Sequence, residues 1–255
     1  MHSLSGSSAH LIMEMCAYFV GARIYWAMAR RHAVRTHWQE RFFILAAALA
    51  GAALGSKGLH VLEHLPSLME QSDPRLWLAG KSMVGGLLGG TVGVEGAKKL
   101  IGWRGSTGDL WVPAIAVGLI LGRIGCQLSG TWDLTYGNAT MLPWAWDYGD
   151  GIGRHPTALY EIILVAVLVA GVWTSPVLRG HPGARFAAFL AGYCALRFGL
   201  EFLKPPFGPA ATGTLPVALY AGLSAIQWAS CLGLLGSLAL LRFRLHEQSW
   251  RSIHA

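Results

Sequence analysis

Glu14, Lys57, Lys81, Arg123, Glu161, Arg197 and Glu201 stand inside otherwise apolar segments, toward one end of each. Only Arg23 and Glu95 stand toward the opposite ends. Charge is costly in hydrocarbon, so such residues point to binding or chemistry. The seven form a polar chamber in one leaflet, with Arg154 and His155 at its rim. Four cations against three carboxylates suit an anionic lipid headgroup, and an arginine fork grips phosphate through two parallel hydrogen bonds. A purely structural reading competes. Lys57 and Lys81 would snorkel to the interface, Arg23 would pair with Glu95, and Arg197 with Glu201 four residues on.

Two stretches surround these charges. Gly118–Gly130 reads GLILGRIGCQLSG, with glycines at 118, 122, 125 and 130 that let other backbones approach Arg123. Arg154–Glu161 reads RHPTALYE, a loop-to-helix junction. There Pro156 suits a first helical turn, Thr157 is a cap and Glu161 falls one turn inside. Cys126 beside Arg123 has two readings: an activated thiol, or a small filler side chain.

The elements that must carry these groups are membrane helices. Hydrophobic residues make up 53% of the chain and charged residues 13%, with mean hydropathy +0.44. Soluble domains carry about 25% charged residues, so an ordinary soluble enzyme is excluded. The 33 glycines suit closely packed membrane helices. Cys16, Cys126, Cys194 and Cys231 show neither CxxC nor zinc spacing, so no disulfide framework, metal site or cofactor is expected. The net charge of +7 is spread between apolar segments and reads as topology, not nucleic-acid binding.

Seven segments reach the ~20 mostly apolar residues that a span requires. They are Leu11–Ala29, Phe42–Leu62, Trp77–Ala97, Leu110–Gln127, Thr157–Thr174, Phe186–Leu203 and Val217–Leu241. The first follows a Ser/Gly/His tail without basic residues, so it reads as a membrane helix and not a cleaved signal. The expected architecture is one all-α, seven-helix membrane domain over residues 1–255, with a long external loop at about 128–156. Arg30, Arg31, Arg35, Arg41, Lys98, Lys99, Arg104, Arg179, Arg185, Arg242, Arg244 and Arg251 fall on one side. Only Arg75, Arg154 and Lys204 fall on the other. The positive-inside rule then puts the N-terminus and the 128–156 loop outside and the C-terminus in the cytoplasm.

These motifs together resemble the bacterial prolipoprotein diacylglyceryl transferases. The matching pieces are GRIG at 122–125, PW at 143–144, RHPTALYE at 154–161, LRFGLEFLKPP at 196–206 and LSAIQWAS at 223–230. The resemblance covers roughly residues 80–230 and departs in the acidic loop motif after GRIG, which has no clear counterpart, and at three single positions. Cys126 stands where the family carries Asn, Val84 where it carries His before Gly85-Gly86, and Glu14 where it has Tyr.

The resemblance implies a bacterial inner-membrane enzyme moving the diacylglyceryl group of phosphatidylglycerol onto a lipoprotein precursor's cysteine thiol. It implies Arg123, Arg197 and Glu201 as catalytic groups. With Val84 in place of the family's His, the outer-side histidines left are His2, His10, His60, His64 and His155; His155, beside Arg154 and the helix of Glu161, is the candidate catalytic base, with a junction residue bonding backbone as the competing reading. Arg123, Arg154, Tyr160, Glu161, Gly125 and Gln227 are expected to contact substrate. Loss of the family's His and Asn supports an alternative: a non-catalytic protein that binds or transports anionic phospholipid. A small-anion transporter would need polar groups through the full membrane depth, which the other leaflet lacks.

Overall fold

The computed structural model describes residues 6–31, 38–70, 73–103, 105–207 and 215–253. Arg35 and Arg104, part of the charge pattern, and His2, among the outer-side histidines weighed for the base, lie outside them. The helices are α1 (Gly6–Arg31), α2 (Trp38–Glu70), α3 (Leu76–Ala79), α4 (Met83–Leu100), α5 (Val112–Ser129), α6 (Thr157–Thr174), α7 (Pro176–Arg179), α8 (Ala184–Glu201) and α9 (Ala225–Ile253). Two antiparallel ladders of two residues per strand complete the described structure. They are β1 (Trp146–Asp147) with β2 (Gly153–Arg154), and β3 (Leu219–Tyr220) with β4 (Leu223–Ser224). Among the described residues, four helical stretches are long and apolar enough to cross a membrane: 38–70, 108–132, 157–174 and 225–246. The protein is an all-α membrane protein by this measure.

The chain groups into two compact units. One holds α1, α5, α6, α7, α8 and the later part of α9; the other holds α2, α3, α4, the β3–β4 hairpin and the start of α9. In the first unit α5 packs on α1 and α6, and α6 on α8. Gly125 lies directly under α1, where a Cβ would come within 2.9 Å of Met13 Cβ. Below it, Ser129 Oγ donates to the Gly6 carbonyl at 2.9 Å. Gly118 faces open space, so the glycine series does not serve close approach at every position. In the second unit Gly51 and Gly55 of α2 meet Gly85, Gly89 and Gly93 of α4 backbone to backbone. Any side chain there would drive the helices apart.

Three expected boundaries shift. The Trp77–Ala97 segment is interrupted between α3 and α4. Ser82 caps α4 by accepting from Gly85 N at 3.3 Å, and Lys57 Nζ donates to the carbonyls of Leu78 and Gly80. The last helix begins at Ala225, not Val217, because the chain first turns through β3–β4 with Ala221 at φ 51° and Gly222 at φ 81°. Helix α2 runs past Leu62 to Glu70 but kinks at His64 (φ −119°, ψ 16°), two residues before Pro66.

The long loop folds into a hairpin. Asp147 Oδ1 accepts from the backbone N–H of Gly149, Asp150 and Gly151 at 2.8–3.1 Å, which closes the tip. The base is tied down by Asn138 N donating to Leu203 O at 2.7 Å and His155 N to Asn138 O at 3.0 Å. Thr157 does not cap α6: its hydroxyl donates to the Thr135 carbonyl at 2.8 Å, and Pro156 occupies the cap position. The same bond fixes the start of α6, and with it the depth of Glu161.

Candidate active site

Arg123 and Arg197 approach one carboxylate. Arg123 Nε on α5 lies 2.8 Å from Glu161 Oε2 on α6, and Arg197 Nη1 on α8 donates to the same oxygen at 2.8 Å. Arg123 Nε has no aligned hydrogen-bond partner, so its contact with Glu161 is an ion pair without a directed N–H bond. Arg197 Nη2 donates to Glu201 Oε2 at 2.8 Å, and Lys204 Nζ stands 3.6 Å from that oxygen. Tyr193 donates its hydroxyl to Glu161 Oε1 at 2.9 Å.

The result is a row of alternating charge, Arg123–Glu161–Arg197–Glu201–Lys204, with one net positive charge. Arg123, Glu161 and Arg197 are 6%, 1% and 2% exposed. Buried ions persist only where opposite charge and hydrogen bonds compensate desolvation, and each central member here touches two partners. Arg197 and Glu201 do pair as their spacing allowed, but Arg197 also reaches Glu161, so the pair belongs to a larger row. Cys126 lies on the same face of α5, its Sγ 3.8 Å from Arg123 Nη1.

A second cluster sits where the loop meets α6. His155 Nδ1 and Tyr160 OH are 3.2 Å apart, and Trp144 Nε1 donates to Tyr160 OH at 2.8 Å. These three, with Leu142, Ile163, Leu164 and Leu203, line an apolar cleft of about 490 Å³. Arg154 turns to the hairpin: Nη1 and Nη2 each donate to Asp150 at 2.7 Å, and its guanidinium lies 4.6 Å from the Tyr136 ring centre. The bond from Arg154 holds the Asp150 carboxyl below the usual carboxylate range, and the same bond raises Arg154.

The remaining expected residues make other contacts. Gly125 faces α1. Gln227 belongs to the second unit, where its Oε1 accepts from Ser224 N at 2.9 Å and Ser224 Oγ accepts from Gln227 N at 3.2 Å, a reciprocal cap on α9. Lys57 and Lys81 are also in that unit, with Val84 buried there at 1% exposure. Glu14 accepts from Tyr18 at 2.7 Å, and Glu95 pairs with Lys98 at 2.6 Å. Tyr193 and Lys204 were not anticipated as part of the site. The available signal was spacing, since Tyr193 lies four residues before Arg197 on one face of α8 and Lys204 follows Glu201 by three just past the helix end.

The family model for prolipoprotein diacylglyceryl transferase matches residues 12–243. The chain belongs to this family. The match takes in every member of the charged row and the whole hairpin. Among relatives named phosphatidylglycerol–prolipoprotein diacylglyceryl transferase, one from Bordetella parapertussis is 31% identical over 246 residues, covering 91% of this chain and 90% of the relative. One from Nitrosomonas europaea is 32% identical over 199 residues, 75% of this chain and 68% of the relative. One from Geobacter sulfurreducens is 34% identical over 205 residues, 77% of this chain and 76% of the relative.

Proposed function

We propose that this protein transfers the diacylglyceryl group of phosphatidylglycerol to a cysteine thiol of a lipoprotein precursor. The observation that carries the reading is the Arg123–Glu161–Arg197 contact, two buried guanidiniums converging on one carboxylate in a membrane helix bundle. Similarity to named transferases along most of the chain favours transfer over lipid binding alone.

Arg123 and Arg197 bind the lipid phosphate with the N–H groups that the carboxylates leave free. Each guanidinium carries five donors, and Arg197 directs one from each terminal nitrogen to Glu161 and Glu201. The thiol sulfur attacks the diacylglyceryl carbon bonded to the phosphate oxygen. A carbon–sulfur bond forms, the carbon–oxygen bond breaks, and glycerol phosphate departs with the bonding electron pair. Fixed cations stabilise the charge growing on that phosphate. The thiol proton passes to His155. In the tautomer whose Nδ1–H donates to the Tyr160 oxygen, Nε2 is the nitrogen that takes it. Glu161 and Glu201 hold the arginines in register, and Tyr160 borders the cleft that receives the lipid.

In this reading the seven long helices all span the cytoplasmic membrane of a bacterium, N-terminus outside and C-terminus inside, as one membrane domain. The 128–156 loop then covers the headgroup at the outer face. A reporter active only in the cytoplasm works when fused after Ala255, and one active only outside works when inserted near Asn138. A cytoplasmic signal at Asn138 overturns the orientation. The activity itself is tested with purified protein, phosphatidylglycerol and a peptide bearing a lipobox cysteine. Glycerol phosphate is released only when the peptide is present; absence of release with both substrates contradicts transfer.

A further inference from the structure

One turn beyond Arg123, α5 presents a polar group that the transfer chemistry does not use. Gln127 follows Arg123 by four residues and Cys126 by one, so the three share a helix face. Tyr148, from the tip of the loop hairpin, donates its hydroxyl to Gln127 Oε1 at 3.1 Å. The other end of that amide, Nε2, is buried and has no hydrogen-bond partner among the described residues. A buried donor left unpaired is costly to a fold, and so marks a place where a ligand acceptor completes the set.

The roof over this amide is built, not incidental. The Tyr148 ring lies 5.8 Å from the Tyr136 ring, and Arg154 stacks on Tyr136 while bound to Asp150. Burial pushes the Tyr148 hydroxyl up to about 12, so it stays protonated at neutral pH.

We infer that Gln127, oriented by Tyr148, recognises the terminal hydroxyls of a phosphate-linked glycerol headgroup. The inference rests on the transferase reading and adds to it the residues that select the headgroup. A phosphate held at Arg123 leaves about 6 Å along the helix to Gln127, the rise of four residues. An extended three-carbon diol spans that interval. The amide N–H donates to a hydroxyl oxygen, and that hydroxyl's proton goes to the Tyr148 oxygen. A neutral amide and a phenol suit a neutral diol. Neither offers the anionic partner that a terminal ammonium would require.

The test compares phosphatidylglycerol with phosphatidylpropanol, which keeps the phosphate and the three carbons but lacks both hydroxyls. Binding of each lipid to the full-length protein in detergent is titrated by native mass spectrometry, and transfer to the lipobox peptide is followed in the same samples. Wild type binds phosphatidylglycerol about tenfold tighter. Gln127→Leu brings the two lipids to within about twofold by weakening phosphatidylglycerol alone, with phosphatidylpropanol unchanged. Tyr148→Phe, which keeps the ring on Tyr136, falls between. Equal affinity in wild type, or equal weakening of both lipids in the variants, overturns the inference. If selective binding persists without any transfer, the transferase reading fails and headgroup recognition stands.

Discussion

Arg123 and Arg197, 74 residues apart in sequence, both stand 2.8 Å from the same oxygen of Glu161. Two like charges are thus held close together by a single anion on the helix packed between α5 and α8. The arrangement keeps two guanidiniums side by side, as a phosphate with several oxygens needs. Without Glu161 their mutual repulsion in a low-dielectric interior would be unopposed.

Glu161→Gln tests that dependence. Glutamine keeps the size and an acceptor for Tyr193 but removes the charge shared by both arginines. Breaking a buried ion pair costs about 3–5 kcal/mol. A large fall in the thermal unfolding midpoint in detergent is expected. An unchanged midpoint would mean that the arginines do not need this carboxylate.

Tyr193→Phe removes one hydrogen bond to the Glu161 carboxylate without changing volume. A hydrogen bond to a charged group contributes roughly 1.5–3 kcal/mol. Thermal unfolding should register a loss of that order. Transfer rate should fall less than with an arginine substitution, since Tyr193 acts through Glu161. A rate loss equal to that of Arg197→Ala would give Tyr193 a direct role instead.

The hairpin should respond to acid in a defined window. The bond from Arg154 lowers the Asp150 carboxyl below its ordinary 3.8. A depressed carboxyl stabilises the fold above its unfolded value and loses that contribution as pH falls through the folded value. Protease cleavage within the 139–154 hairpin should therefore be constant from pH 8 to about 5 and rise only below about 4. In Asp150→Asn it should be raised above about pH 5 and should converge with wild type in acid. Cleavage that increases between pH 7 and 5 would contradict the role of this pair.

His155→Asn separates a base from a junction residue. Asparagine retains a hydrogen bond to Tyr160 but takes no proton from the thiol. Lipid binding should persist and turnover should be lost. Raising the pH toward the thiol's own pKa, about 8.5, should partly restore the rate. Loss of lipid binding with no recovery at high pH would make the residue structural.

The charged core of the site was legible because Arg123, Glu161, Arg197 and Glu201 are conspicuous in apolar segments, where charge is rare unless it has a use. Tyr193 was not, since a tyrosine in a membrane helix needs no special explanation. The glycine content signalled close helix packing, but not that Gly125 faces α1 while Gly118 faces open space. The break before α4 was hidden because Lys57, 21 and 23 residues upstream, holds the carbonyls of the α3 end. The β3–β4 turn was hidden because Ala221 adopts a positive φ without being glycine or asparagine. Arg154 and Gln227 carried motif positions whose local partners, Asp150 and Ser224, only coordinates could reveal.

The most direct measurement is the intact mass of a lipobox peptide after incubation with phosphatidylglycerol and either wild type or Arg123→Lys. Wild type should add one diacylglyceryl group to the cysteine sulfur. Arg123→Lys should slow this by ~30-fold or more, because an ammonium lacks the planar fork and leaves Glu161 with a poorer partner. Wild type that adds no diacylglyceryl group, or Arg123→Lys that works as fast as wild type, would contradict a phosphate clamp built on Arg123, Glu161 and Arg197.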